Sequence, residues 1–370
     1  MRVAQITFTY RPIRGGADAY ADDLRLLLES QGHEHVVYQR REPLHGADLR
    51  FVPNPLRGWP AEFWTHALSL PLCYPSLSRQ DALIAHYPPY LLAAVGARLM
   101  GKPALIGLSH GVTWDDRPRA LRSAIKRSLA RVAFRIADAF VANDTFFLRE
   151  MGCRIAPRER MFQQVAPGRW FIPNCVDAER FGRTDGLPDL KRLRPILVPR
   201  NLYFNRGVHL AIAAFAEFAR DEPDATLVIV GGMGQRDYAR DLRRQVAESP
   251  VRERVIFWGS VAHAAMPDIY SSADLTLIPS LCGEGTSLSA LESMAAGTAV
   301  ISTDAGGLPD LPAYLCRPNA AALARAMREV WPRRAEIAAQ QQAEVLRTYN
   351  MENWRAAWTQ AIGGAVGPQR

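Results

Sequence analysis

Several features that define large protein classes are missing from this 370-residue sequence. Its five cysteines form no C-x-x-C pair, so neither a disulfide framework nor a zinc site of the usual spacing is indicated. The N-terminal segment MRVAQITFTY lacks a signal-peptide core, and no apolar run approaches the roughly 20 residues that span a bilayer. No G-x-G-x-x-G fingerprint of dinucleotide oxidoreductases occurs. We therefore expect a cytoplasmic protein with reduced thiols.

The composition is that of an ordinary globular protein, with 48% hydrophobic and 22% charged residues. The length allows two domains of about 180 residues, each able to bury a core. The net charge of +8 is uneven, because residues 1–185 carry 25 basic and 18 acidic side chains and residues 186–370 carry 20 and 19. The first half therefore favours an anionic partner or surface, and we expect no nucleic-acid partner.

The segment 274–310 combines the parts of a ligand-binding turn. Residues 275–279 are typical of a buried parallel strand, residues 287–296 favour a helix, and residues 298–303 predict the next strand. Glycines interrupt the pattern between the first strand and the helix. Free N–H groups and the positive end of the dipole at such a helix start suit an anionic or polyhydroxylated ligand.

Two glutamates mark this turn, Glu284 in the loop and Glu292 in the helix. A carboxylate accepts two directed hydrogen bonds from vicinal hydroxyls, as on a sugar or a ribose. The pair could therefore hold two polyols at opposite ends of one ligand. In the alternative interpretation, Glu284 caps the helix and Glu292 is a solvated helix residue.

The surrounding pattern PS…E-G…L…LE-x-M-A-x-G…GG-x-P resembles the signature of retaining nucleotide-sugar glycosyltransferases of family-4 type. The resemblance implies an α/β fold of the GT-B type. In that fold two Rossmann-like, doubly wound domains face each other across a cleft, and a C-terminal helix crosses back to the N-domain. It also implies that Glu284 binds donor-sugar hydroxyls and Glu292 the ribose hydroxyls. The chain departs from the family after Asp310, where the usual glycine-rich excursion is shortened.

The first half opens like a Rossmann domain, with a strand pattern over 3–8, a Gly15-Gly16 turn and a helical pattern over 19–28. Amides in this turn are free to approach a phosphate. A lone Gly-Gly is more often a plain turn, but the resemblance implies that Gly15 and Gly16 approach the donor diphosphate.

Strands predicted over 81–86 and 104–109 place His86 and His110 at the edge of a parallel sheet where ligands bind. Either histidine could be purely structural. The resemblance implies that His110 faces the sugar, and His86 is the weaker candidate.

In the second half, a strand predicted over 195–198 leads to Arg200, and Arg206 precedes a helical pattern over 209–220. Without the resemblance, both would be interpreted as surface arginines. The resemblance implies that they neutralise the donor diphosphate, whose negative charge grows as the glycosidic bond breaks. Arg206 stands where the family has lysine, which keeps the charge and alters the geometry.

Two further turns follow predicted strands. Gly232 lies in the glycine-rich turn after the strand predicted over 225–230. Val261 closes a segment that resembles the family pattern F-x-G-x-V, whose backbone meets the nucleobase. Both are therefore expected to contact the donor nucleotide.

Two segments of the first half have other interpretations. The proline-rich residues 51–80 predict an irregular loop that covers a core edge or forms part of an acceptor site. Residues 119–136 predict an amphipathic helix with basic side chains around one apolar stripe, made by Leu121, Ile125, Leu129, Val132 and Ile136. This helix is either the solvated outer face of a Rossmann helix or a contact with anionic membrane lipid.

The polar, Gly- and Pro-bearing stretch 182–195 predicts a linker. We therefore expect an acceptor-binding domain over 1–183, a nucleotide-sugar-binding domain over 195–348 and a C-terminal helix over 349–370 that packs on the first domain.

The sequence contains no D-x-D, the metal-binding motif of transferases with the other major fold. We therefore expect metal-independent transfer, with no cofactor besides the donor substrate. The expected catalytic residues are Glu284, His110, Arg200 and Arg206. The expected donor-binding residues are Gly15, Gly16, Arg200, Arg206, Gly232, Val261, Glu284, Gly285, Thr286, Ser287, Leu288 and Glu292.

The expected acceptor is a glycan, a lipid-linked molecule or a small molecule, in polysaccharide, glycolipid or secondary-metabolite biosynthesis. The expected location is the cytoplasm or, peripherally, the inner face of the membrane. Two alternatives remain open: a non-catalytic partner subunit that binds a nucleotide sugar, and a nucleotide-sugar epimerase with the GT-B fold.

Overall fold

The computed structural model describes residues 1–13, 15–43, 46–56, 58, 61–116 and 119–367. The chain divides into two compact units. One unit is Met1–Pro173 together with the chain from Arg355 onward, and the other is Asn174–Trp354. The predictions for 51–80 and 349–370 lie partly outside the described residues.

The first unit is built on an eight-stranded sheet. Its strands are β1 (Arg2–Ile6), β2 (Glu34–Gln39), β3 (Leu49–Phe51), β4 (Ala82–Ala85), β5 (Ala104–Ser109), β6 (Ala139–Ala142), β7 (Gln163–Ala166) and β8 (Arg169–Phe171). Its helices are α1 (Gly16–Ser30), α2 (Glu62–Leu68), α3 (Tyr74–Leu77), α4 (Pro88–Gly101), α5 (Leu121–Ile136) and α6 (Thr145–Glu150). The strand order is β3-β2-β1-β4-β5-β6-β8-β7; β7 pairs with β8 antiparallel, and the other neighbours in this order run parallel.

The second unit is built on a six-stranded parallel sheet. Its strands are β9 (Pro195–Pro199), β10 (Thr226–Val230), β11 (Val255–Gly259), β12 (Leu275–Ile278), β13 (Val300–Thr303) and β14 (Tyr314–Cys316). Its helices are α7 (Pro188–Arg192), α8 (Val208–Phe218), α9 (Arg236–Ala247), α10 (Met266–Ser272), α11 (Leu288–Ala295), α12 (Ala320–Val330) and α13 (Arg334–Thr348), followed by α14 (Met351–Val366). The strand order is β11-β10-β9-β12-β13-β14.

Both sheets are doubly wound, because the chain builds outward on one side of a starting strand and then on the other. The order changes direction between β1 and β4 in the first sheet and between β9 and β12 in the second. The central strands are apolar along their length, as in β4 (ALIA) and β9 (PILVP), and every residue in both is buried. Helices cover both faces of such a sheet, which leaves a crevice outside the carboxyl ends of the strands at each switch point.

The structure corrects two local predictions and assigns a strand to a third segment. The segment 51–80, expected to be irregular, carries the helices α2 and α3 among its described residues. The segment 182–195, expected to be a linker, contains α7 and is held to α10 by hydrogen bonds from Thr184 to Asp268 at 2.7 Å and from Leu187 to Ser272 at 2.7 Å. The short segment after Asp310 supplies an edge strand, β14, that pairs with β13.

The last helix, α14, begins in the second unit and belongs to the first from Arg355 onward. There Trp358 is fully buried, and its Nε1 donates a hydrogen bond of 2.7 Å to the hydroxyl of Tyr20 in α1. All five cysteines are free thiols. Among the described residues, no helix combines the length and the apolar character needed to cross a bilayer.

Candidate functional site

Three predicted residues converge at the switch point of the second sheet. Arg200 directly follows β9, Arg206 lies in the short 3-10 turn before α8, and Glu284 lies in the loop after β12. Arg206 donates to Oε1 of Glu284, and Nη2 of Arg200 lies 3.3 Å from the same oxygen. Ser280 donates to it at 2.7 Å. The glutamate and Arg200 are only 5% and 8% exposed, so this is a nearly buried charge cluster.

The charges of this cluster are strongly coupled. Burial opposes ionisation of Glu284, but the charges of Arg200 and Arg206 outweigh it and hold the pKa of the carboxyl group below its usual value. Attraction by Glu284 raises the pKa of Arg206 despite burial. Burial lowers the pKa of Arg200, an effect that Glu284 partly offsets. Two cations therefore share one anion, and the cluster keeps a net positive charge.

Arg200 makes directed hydrogen bonds as well as an ion pair. Its Nη1 donates to Ser289 at 3.2 Å, and its Nη2 donates to Ser287 at 3.1 Å. Its Nε is buried and has no hydrogen-bond partner among the described residues. A buried donor without an acceptor is costly, so this nitrogen is suited to an incoming anionic oxygen.

Two glycines bring the loops of this cluster close together. Gly207 has φ +67°, and a Cβ there would lie 1.8 Å from the carbonyl oxygen of Pro279, so only glycine lets the Arg206 turn approach β12. Gly306 has φ +55°, and a Cβ there would lie 2.4 Å from the carbonyl oxygen of Glu284. The following Gly307 donates its N–H to that oxygen at 2.9 Å. The GG pair thus holds the loop that carries Glu284.

Helix α11 starts beside the cluster. Among the described residues no side chain caps its first turn, and the hydroxyl of its N-cap residue Ser287 accepts from Arg200. The side chain of Thr286 accepts from the N–H of Asn174 at 2.8 Å. The predicted donor-binding residues Gly285, Thr286, Ser287 and Leu288 all lie in this loop and helix start, where uncapped N–H groups and the helix dipole favour an anion.

Glu292 lies inside α11 and is 5% exposed, so it is not a solvated helix residue. Its Oε1 lies 2.8 Å from Nε2 of His263, and its Oε2 accepts from the hydroxyl of Tyr270 at 2.8 Å. Nδ1 of His263 in turn contacts Nη2 of Arg180 at 3.1 Å. Burial, reinforced by the carboxylate, raises the pKa of Tyr270 well above its usual value, so the phenol remains a donor. Glu284 does not cap the helix either; its Oε1 accepts from Arg206 and lies 3.3 Å from Nη2 of Arg200.

The remaining candidates of the second unit lie along the same edge of the sheet. Gly232 follows β10, and its N–H donates to the side chain of Asn201 at 2.7 Å. Val261 follows β11. The structure therefore brings Arg200, Arg206, Gly232, Val261, Glu284 and its loop to the carboxyl ends of four strands.

The candidates of the first unit lie at its own switch point. Gly15 is the N-cap of α1, in extended conformation, and Gly16 is the first residue of that helix, which is the first helix after β1. His86 and His110 follow the neighbouring strands β4 and β5. The rings of His86 and His110 stack with centroids 5.3 Å apart.

A hydrogen-bonded chain behind His110 determines its protonation. Nε2 of Gln5 donates to the carbonyl of Ala21 at 3.0 Å and contacts Nε2 of His35 at 2.9 Å, which leaves its Oε1 to accept from Nε2 of His86 at 2.6 Å. Nδ1 of His86 then accepts from Nε2 of His110 at 3.1 Å. Burial lowers the pKa of His110 to about 4 and that of His86 well below its usual value. His110 is therefore a neutral imidazole whose Nδ1 is a hydrogen-bond acceptor.

Sequence reasoning missed several partners of the predicted residues. Ser280 and Ser289 hold the arginine cluster, His263 and Tyr270 hold Glu292, and Gln5 orients the histidines. A buried glutamine within the apolar strand β1 was the one available signal. Among the described residues, no group of three His, Cys, Asp or Glu side chains is placed to hold a metal ion.

Two family models match the chain: "Glycosyl transferase 4-like domain" over residues 15–163 and "Glycosyl transferases group 1" over residues 194–332. An uncharacterized glycosyltransferase of Methanocaldococcus jannaschii is 31% identical over 338 residues, which is 84% of this chain and 82% of the relative. The GDP-mannose-dependent alpha-(1-6)-phosphatidylinositol monomannoside mannosyltransferase of Mycobacterium tuberculosis is 28% identical over 344 residues, with 84% and 82% covered.

Solved structures resemble the chain over nearly its whole length. Sucrose-phosphate synthase from Thermosynechococcus elongatus superposes with a TM-score of 0.81 at 18% identity, covering 97% of each chain. Anabaena HepE in complex with UDP-glucose superposes with a TM-score of 0.74 at 19% identity, covering 97% of this chain and 98% of HepE. At these identities the likeness concerns the fold.

Proposed function

Because this chain belongs to the group 1, family-4-type glycosyltransferases and has their GT-B fold, we propose that it transfers a sugar from a nucleotide-diphosphate sugar to an acceptor hydroxyl with retention of anomeric configuration. The observation that carries the proposal is the Arg200–Glu284–Arg206 cluster at the switch point of the second sheet. The donor classes named for two similar proteins, GDP-mannose and UDP-glucose, support a nucleotide-sugar donor here.

The two arginines bind the diphosphate of the donor. The cluster carries two positive charges against one negative charge, and the buried Nε of Arg200 offers a donor without an acceptor. The uncapped start of α11 adds backbone N–H groups directed at the same anion. As the glycosidic bond breaks, the leaving diphosphate gains negative charge that these preorganised groups stabilise. In this proposal the cationic side chains do the work that a metal ion does in other transferases.

The two glutamates bind hydroxyls. The contacts that Ser280 and the two arginines make with Glu284 all fall on Oε1, so its Oε2 accepts from a hydroxyl of the donor sugar. Glu292 receives one hydrogen bond on each oxygen from His263 and Tyr270. A carboxylate has about four lone-pair sites, so two remain for the vicinal hydroxyls of a ribose.

Neutral His110 accepts a hydrogen bond from a sugar hydroxyl at Nδ1. The acceptor hydroxyl attacks on the same face of the sugar from which the diphosphate departs, and an oxygen of the departing phosphate takes its proton. This route yields retention without a covalent nucleophile. The acceptor is a glycan, a lipid-linked molecule or a small molecule.

Donor binding and turnover test this proposal. Purified protein is titrated by calorimetry with UDP-, GDP- and dTDP-sugars, and release of nucleoside diphosphate is measured with and without acceptors. We expect one donor class to bind and to be consumed with formation of a glycosylated product of retained configuration. Arg206→Met should weaken binding, whereas Arg240→Met on the exposed face of α9 should not. Failure of every nucleotide sugar to bind would overturn the proposal; binding without turnover would indicate a non-catalytic subunit.

A further inference from the structure

Helix α5 (Leu121–Ile136) turns its large apolar side chains toward solvent. The exposed fractions of Leu121, Ile125, Val132 and Ile136 are 78%, 51%, 48% and 39%. The buried side of the helix consists mainly of small residues, Ser123, Ala130 and Ala133, together with Phe134. An ordinary surface helix has the reverse arrangement, with its large apolar residues against the core. The apolar stripe predicted from the sequence is therefore an outward-facing stripe.

Basic side chains flank this stripe on both sides. The helix contains five of them and no acidic residue. At about 100° per residue, Arg131 and Arg135 lie along one flank, and Arg122 and Lys126 lie along the other. Arg131 and Arg135 are exposed and have no ion pair among the described residues.

Acidic groups facing the helix neutralise only part of this charge. Asp116 pairs with Arg122 at 2.8 Å, and Glu150 pairs with Arg127 at 3.1 Å. Asp138, just beyond the end of the helix, pairs with Arg98 of α4 at 2.7 Å. The outer side of α5 therefore remains positively charged around its apolar stripe.

Neighbouring elements add to the surface. Trp64 of α2 lines a surface cavity together with Arg122, Ile125 and Lys126. Beyond the other end of the helix, Asp138 pairs with Arg98 of α4, and the adjacent Leu99 and Met100 are 82% and 62% exposed. A tryptophan with a polar edge and an apolar face is suited to the boundary between water and lipid.

We propose that α5 docks this first unit on an anionic lipid surface. A helix of 16 residues extends about 24 Å and presents one continuous apolar stripe between two basic flanks. That is the pattern of a helix that lies in the interface, with its apolar side at the boundary of headgroups and acyl chains and its cations at lipid phosphates. The net positive charge of residues 1–185 would also attract this half of the chain to an anionic surface. The inference is independent of the proposed donor and acceptor.

Co-sedimentation with vesicles tests this proposal. The full chain is mixed with vesicles of phosphatidylcholine alone or of phosphatidylcholine and phosphatidylglycerol in equal parts, at low and high salt. We expect binding to the anionic vesicles at low salt, weaker binding at high salt and none to phosphatidylcholine alone. Each basic side chain near an anionic surface strengthens partitioning about fivefold, so Arg131→Gln/Arg135→Gln should weaken it about 25-fold.

Matched variants distinguish vesicle binding by the surface of α5 from nonspecific attraction of a basic protein to anionic lipid. Arg240→Gln/Arg244→Gln removes two exposed charges from α9 of the second unit and should leave vesicle binding unchanged. Ile125→Asp should abolish binding, whereas Leu346→Asp on α13, also exposed, should not. All these side chains are solvent-facing, so the midpoints of thermal unfolding should stay near the parent value.

Absence of binding to the anionic vesicles at low salt would overturn the proposal. It would also be overturned if the α5 variants and the α9 variant weakened binding equally. Analytical ultracentrifugation tests the alternative that a second copy of this chain covers the apolar stripe. If the protein does not bind vesicles but forms a dimer, and Ile125→Asp dissociates that dimer, the stripe is the contact with a second copy of this chain.

Discussion

Glu284 stands between two guanidinium groups that would otherwise repel each other in a nearly buried place. One oxygen of its carboxylate meets Arg200, Arg206 and Ser280. The residue therefore has a structural role, neutralising Arg200, in addition to the hydroxyl-binding role proposed for its other oxygen. The two roles are separable because one concerns the stability of the fold and the other the rate on folded protein.

Glu284→Ala should lower both the turnover rate and the free energy of unfolding. Loss of charge-assisted hydrogen bonds worth roughly 1.5–3 kcal/mol predicts a fall of about 10- to 150-fold in turnover. An unneutralised buried arginine should also lower the free energy of unfolding, by roughly 3–5 kcal/mol. Steady-state kinetics and urea denaturation measure the two effects, with the exposed Glu253→Ala as control. Turnover within twofold of the parent would remove Glu284 from the site.

The two arginines should respond differently to lysine. Arg200 uses both terminal nitrogens of its guanidinium group: Nη1 donates to Ser289, and Nη2 donates to Ser287 and pairs with Glu284. A lysine ammonium cannot reproduce that fork, so Arg200→Lys should lower kcat/KM by about 30- to 100-fold, the loss of two hydrogen bonds.

Arg206→Lys keeps a single charge beside Glu284 and should stay within about threefold of the parent. Both substitutions are compared in steady-state donor kinetics on the same preparation. Equal losses in the two variants would show that only charge, and not the guanidinium fork, matters at Arg200.

At the scale of elements, the site depends on loops that approach one another more closely than side chains permit. The turn before α8 lies against the end of β12 through Gly207, and the loop after β13 lies against the Glu284 loop through Gly306. These close contacts between loops bring the side chains of Arg200 and Arg206 into contact with that of Glu284. The strands β9 and β12 determine where these loops begin, because their carboxyl ends lie side by side at the switch point.

Gly306→Ala should displace the Glu284 loop. Its φ of +55° is unfavourable for alanine, and the added Cβ would lie 2.4 Å from a backbone oxygen. We expect a loss of about 1–3 kcal/mol in the free energy of unfolding and a parallel loss of donor affinity. Gly364→Ala in α14 is the matched control, since a Cβ at that position would point into open space. That variant should be as stable as the parent or more so.

At the scale of the whole molecule, buried histidines make the stability of the first unit depend on pH. Burial lowers the pKa values of His35, His66 and His110 to about 4 and that of His86 well below its usual value. In the unfolded chain each titrates near 6.5. The unfolded state therefore binds more protons below pH 6.5, so stability is complete above that pH and falls toward pH 4.

Each such histidine should contribute a slope of about 1.4 kcal/mol per pH unit within this window. Urea denaturation at pH 7.5, 6 and 5 measures the dependence. His35→Gln should give a shallower slope, because one titrating group is removed. An unfolding free energy that stays constant from pH 7.5 to pH 5 would contradict the neutral state of the histidine chain.

Much of the fold followed from local pattern. The strand predicted over 104–109 has those bounds in the structure, and the second Rossmann unit, its helix after Glu284 and the family itself were identified correctly. Within 51–80, helix α3 was missed because a proline in the first turn of a helix looks like a loop residue in sequence. The orientation of α5 was not predictable, since an apolar stripe has the same periodicity whether it faces a core or solvent.

The sequence by itself determined the fold class and the family and supplied the residue types of the candidate site, because strand composition, glycine positions and helix periodicity are local. Only the tertiary structure decided which of those residues meet. Arg206 and Glu284 are 78 positions apart, and Glu292 and His263 are 29 apart. No local pattern encodes such pairs; they arise because parallel strands deliver distant loops to one edge of a sheet. The same packing chose the small side of α5 for the core and left its large apolar side exposed.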